Sequence, residues 1–96
     1  MIPDNTNRAE ILLAAQSALV GEIFPVLRKV SILWRPGSVV LTYHVDAELS
    51  DDDRDSITSI EAEMVAHLPE LDTSSEIILY DAKYQQSNSV CIFARR

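Results

Sequence analysis

VSILWRPGSVVLTYHVD, residues 30–46, is the stretch on which the fold turns. In its second half Val39, Leu41, Tyr43 and Val45 alternate with Val40, Thr42, His44 and Asp46. Successive side chains of a strand point to opposite faces, so this period of two predicts a half-buried strand over residues 38–46. Residues 30–35 supply its partner. Between the two stand Pro36 and Gly37. The proline ring fixes φ for the first corner of a tight turn, and glycine accepts the positive φ of the second. The segment reads as a β-hairpin.

Toward the N-terminus, the spacing of Ile11, Leu12, Ala15, Leu19, Ile23 and Val26 predicts a helix over residues 8–27, capped by Asn5, Thr6 or Asn7. Pro25 is expected to kink its last turn by clashing with the carbonyl of Gly21, a glycine that would also allow close packing on a sheet. Toward the C-terminus, Ser50 is the expected N-cap of a second helix, with Asp51, Asp52 and Asp53 in its first turn, where the helix dipole favours anions. Ile57, Ile60, Met64, Val65 and Leu68 form its apolar stripe and Pro69 ends it. Strands are expected at residues 76–82 and 89–95, joined by the polar run Gln85, Gln86, Ser87 and Asn88. Helix-strand-strand thus occurs twice, without a shared residue pattern. The expected architecture is α+β, one domain over residues 1–96, in the order α-β-β-α-β-β. Its sheet is four-stranded and antiparallel with both helices packed on one face. The other face is expected to be partly open, showing Leu33, Arg35, Thr42, His44, Tyr80 and Phe93.

Ninety-six residues bound the chain to one domain, and 47% hydrophobic content is enough for one core. The start is polar and no apolar stretch is long enough to cross a bilayer, so neither a signal peptide nor a membrane partner is expected. The single cysteine, Cys91, has no partner for an internal disulfide. Both features point to the cytoplasm. The net charge of −7 is unevenly spread. From Asp46 to Glu76 there are eleven acids and one base, Arg54, leaving the rest of the chain at +3. That field repels nucleic acid and steers a basic protein partner.

Motifs that carry chemistry are scarce. Asp51, Asp52, Asp53 and Asp55 do not have the full spacing of a calcium loop, which needs a glycine and a distant glutamate besides ligands at alternate positions, and a helix start already explains three of them. His44 and His67 have no metal-ligand spacing, Cys91 lies mid-strand where thiols are usually inert packing, and two glycines leave no room for a phosphate-cradling loop. No catalytic residue, metal or cofactor is expected. The expected function is a surface: Asp46, Glu48, Asp51, Asp52, Asp53 and Asp55 facing a partner, with Glu61 or Glu63 extending it along the helix.

Ala15, Gln16, Ala18, Leu19, Gly21, Ile23, Pro25, Leu27, Arg28 and Val30 spell a pattern that resembles the first helix of small immunity proteins from bacterial polymorphic and contact-dependent growth-inhibition toxin systems. Asp46, Glu48, Ser50, Asp53 and Arg54 are similar to that family's passage from second strand to second helix. The helix ending in Pro69 and the aromatic strand closing on Arg95 and Arg96 are similar too. The resemblance implies a non-enzymatic protein that binds and blocks the C-terminal domain of one cognate toxin, often a basic nuclease acting on RNA. Two other classes stay open on the residues alone. One is a structural or regulatory module; a homodimer is compatible with the sequence and not required by it. The other is an enzyme or ligand carrier using the open sheet face.

Overall fold

The computed structural model of the chain describes residues 8–81, 83 and 89–95. The elements run α1 (Arg8–Leu19), β1 (Leu27–Arg35), β2 (Ser38–Val45), α2 (Asp51–His67), β3 (Asp72–Leu79) and β4 (Val90–Ala94). One sheet holds the strands in the order β3-β2-β1-β4. The hairpin forms as its residues dictate: Arg35 pairs with Ser38, and Gly37 takes φ +86° after Pro36.

The sheet is mixed, which corrects the antiparallel expectation. β1 is antiparallel to β2 and to β4, but β3 lies parallel to β2, from Ser38 opposite Asp72 to Val45 opposite Leu79. The cause is α2. A hairpin reverses the chain at once, whereas a helix between two strands returns it to the end where the first began. The new strand then runs the same way.

Three boundaries move for local reasons. α1 stops at Leu19 rather than reaching residue 27. Gly21 adopts φ +81°, and the amides of Val20 and Glu22 bond to the carbonyls of Ser17 and Leu19, closing the helix in short turns. No close packing demands this glycine, since a Cβ there would meet nothing within 4 Å; the positive φ does. Pro25 therefore kinks no helix. It sits at the corner of a turn in which Leu27 N–H donates to the Phe24 carbonyl, and β1 starts there, three residues early. β3 starts at Asp72, four residues before the expected 76, because the Thr73-Ser74-Ser75 run pairs with β2 despite its turn-like composition. The expected caps of α1 and the run from Gln85 to Asn88 lie outside the described residues.

Pairing sorts the strand faces. Val30, Ile32, Val39, Leu41, Tyr43 and Val45 form one core with Ile11, Ala14, Ala15, Ala18 and Leu19 of α1 and Ile57, Ile60 and Met64 of α2. Phe93, opposite Val30, packs against this core and not on the other face as expected, while Ile23 and Val65, expected in buried stripes, are exposed. Nor is the second face open at its centre. Ser31, Thr42 and His44 are 2%, 0% and 2% exposed. These short or neutral polar groups sit on the two central strands, flanked on both sides by neighbours.

α2 opens on a capping box. Asp53 N–H donates to Ser50 Oγ (3.1 Å) and Ser50 N–H to Asp53 Oδ2 (3.0 Å). Replacing Ser50 with alanine leaves one helix-end amide without its acceptor, and we expect a loss of about 1 kcal/mol in urea unfolding. An unchanged midpoint would show that the box contributes nothing to the fold.

Candidate partner-binding surface

The acidic segment divides into carboxylates that build the fold and carboxylates left at the surface. Asp53 belongs to the first group: it is buried and spent on the capping box. Its neighbours Asp51, Asp52 and Asp55 are exposed. Among the described residues they make no hydrogen bond or ion pair, and the positive end of the α2 dipole holds the first two in place.

Asp46 also builds. Its carboxylate accepts from Arg28 Nη1 (3.1 Å) through one oxygen and from Arg95 Nη2 through the other. Arg95 donates in addition to the Pro25 carbonyl, and Arg28 lies over the Tyr80 ring, 4.6 Å from its centroid. Main-chain bonds from Asp46 N–H to Val26 O and from Arg95 N–H to Arg28 O run through the same corner. One half-exposed carboxylate thus joins the turn before β1, the end of β2 and the end of β4, with the residue after β3 stacked on one of its arginines.

Glu61 and Glu63 do not extend a common face. Two positions on a helix are separated by about 200°. Glu61 is half-buried and near enough to the Tyr43 hydroxyl to raise its pKa further, although burial is the larger cause of that rise. Glu63 lines the groove between α1 and α2 and approaches His67 Nε2 at 3.6 Å. Glu48 is exposed and lines a cleft with Leu49, Arg54, Ile77 and Leu79. The surface cluster is therefore Glu48, Asp51, Asp52 and Asp55, around the start of α2.

Other chemistry-bearing residues are placed as follows. Among the described residues no three His, Cys, Asp or Glu side chains converge to hold a metal ion, and no helix is long and apolar enough to cross a membrane. Cys91 is exposed on the edge strand β4 rather than packed, and its thiol donates to the Phe93 carbonyl (3.3 Å). Sequence reasoning missed the exposed apolar pair Ile77 and Leu79 on β3. Their place on an edge follows from the strand order and carries no local signal in the sequence.

What these features define is a small α+β protein with negative charge gathered on its surface around the start of α2. The sequence model of the MafI2 immunity protein family matches residues 8–96, and the chain belongs to that family. It is an immunity protein of a bacterial toxin system. No curated protein matches it.

His44 gives the fold a pH dependence. Burial is the main cause lowering its pKa below the ordinary 6.5; the Lys29 charge adds to it and Glu76 opposes it. A histidine with a depressed folded pKa stabilises the fold fully above about pH 6.5. That contribution is lost as pH falls through 6.5 toward the lower folded value, because the unfolded chain binds the proton first. The urea midpoint should therefore drop between pH 7.5 and 5.5, and drop less in His44→Gln. Equal slopes for the two proteins would contradict this.

Proposed function

We propose that the protein neutralises its cognate toxin by binding the toxin's C-terminal domain, a basic nuclease acting on RNA, and occluding the surface that holds nucleic acid. It performs no catalysis and needs no cofactor. It acts in the cytoplasm, where the nuclease would find its substrate. The observation that carries this reading, beyond family membership, is the cluster Glu48, Asp51, Asp52 and Asp55: exposed carboxylates without partners among the described residues. Crowding like charges costs folding stability through self-repulsion, and an opposed basic cleft offsets that cost. Two other members of the acidic segment support the surface from behind. Asp46 and Asp53 hold the strand ends and the helix start from which the cluster projects.

Charges at the rim of an interface act mainly on the association rate and its salt dependence. Glu48→Gln with Asp51→Asn, Asp52→Asn and Asp55→Asn, leaving Ser50, Asp53 and Asp46 untouched, should keep a folded circular-dichroism spectrum. It should slow association with the cognate toxin domain by about tenfold or more at low salt, and weaken protection of cells expressing that domain. Association and protection equal to the parent's would make the cluster a solvated face only.

A further inference from the structure

We propose that the outer edge of β3 receives an extended segment of the toxin as an added strand, with basic and apolar side chains alternating along it; this rests on the toxin-binding reading above.

The two edges of the sheet are unlike. β4 is five residues long, and its register with β1 is broken by a bulge between Val30 and Ser31. Short, bulged edges resist further pairing. β3 is eight residues long, pairs with β2 without a register shift, and contains no proline and no lysine. Among the described residues nothing pairs with its other side. Ile77 and Leu79 on it are 41% and 68% exposed. A long, regular edge of this kind, apolar over its second half, is a template for another chain.

The backbone of β3 shows which groups are available. Asp72 N–H donates to Gly37 O (2.9 Å) and Tyr80 N–H to Val45 O (2.7 Å). In a parallel ladder alternate residues bond to the same neighbour, so the even positions from 72 to 80 face β2. Thr73, Ser75, Ile77 and Leu79 then direct their N–H and C=O groups outward. An added strand would bond to these four.

Side chains on either side specify the occupant. On the helix side lie Ile77 and Leu79, beside a cleft of about 330 Å³ that also involves Val45 and Leu49. Alternate residues of the incoming strand there must be apolar. On the opposite side lie Asp72 and Glu76, the only charges on β3, and both are acidic and exposed. The residues between must be basic. Glu48 and Arg54 line the same cleft, while Glu70 and Asp81 flank the strand. A second copy of this chain fits poorly, since pairing β3 with itself would bring acidic edges together.

The test is amide hydrogen exchange, followed by NMR, on the protein alone and in complex with its cognate toxin domain. In the free protein the amides of Thr73, Ser75, Ile77 and Leu79 should exchange fast and those of Ser74, Glu76 and Ile78 slowly. In the complex the first set should slow by about tenfold or more. Ile77→Pro removes one outward donor and should weaken binding about tenfold. Leu79→Lys keeps every donor but sets a positive charge on the edge, and should weaken binding too; it carries the mutational test if the proline variant does not fold. A complex in which the four amides exchange as fast as in the free protein overturns the edge proposal and leaves toxin binding intact. So does protection already present in the free protein, or growing with its own concentration, which would mean a covered edge or self-pairing. Absence of any complex overturns the toxin reading and the edge proposal with it.

Discussion

The length of α2 governs this structure. Seventeen helical residues extend about 26 Å at 1.5 Å each, and the eight residues of β2 cover about 26 Å at 3.3 Å each. The helix therefore carries the chain back by one strand length, and Asp72 arrives opposite Ser38, where β2 began. Burial of Ile57, Ile60 and Met64 against the sheet holds the helix on its path. From that return follow the parallel pairing of β3, its position at an edge, and the exposure of Ile77 and Leu79. The start of α2 is brought beside the far end of β3, so the carboxylates around the helix start and the free strand edge share one side of the molecule, with Glu48 lining the cleft next to Ile77 and Leu79.

Negative charge in this chain has two uses. Asp46 and Asp53 are consumed by the fold, one bridging Arg28 and Arg95, the other closing the capping box. Half-exposed ion pairs are individually weak. The Asp46 corner matters because several chain segments meet on one carboxylate, with main-chain bonds running through the same place. Leu27, Arg28, Asp46 and Arg95, all part of the family-like pattern, gather at or beside this corner. The pattern is thus mainly a signature of how strand ends are tied together.

Legibility in the sequence followed the range of the interaction. Pro36-Gly37 and Ser50 to Asp53 act over two to four residues, and both elements stand where local chemistry puts them. Apolar spacing around Gly21 suggested a longer helix, because a stripe extends as readily through a terminating glycine as through a helical one. β3 was misplaced because Thr73, Ser74 and Ser75 resemble a turn until β2 is alongside. The pairing of Asp46 spans 18 residues to Arg28 and 49 to Arg95, beyond the reach of any local pattern. The acidic segment was visible as composition. Its division into structural and surface carboxylates required the fold.

A surplus of exposed carboxylates is proposed to draw this immunity protein onto a basic toxin domain. The most direct measurement is the association rate of the unmodified protein with its cognate toxin domain, followed by stopped flow across ionic strengths. Steered association falls steeply as salt shortens the reach of the field, whose screening length is about 10 Å at 0.1 M and about 3 Å at 1 M. Fast association is expected at low salt, with a drop of about tenfold or more across that range. A rate indifferent to salt would contradict it.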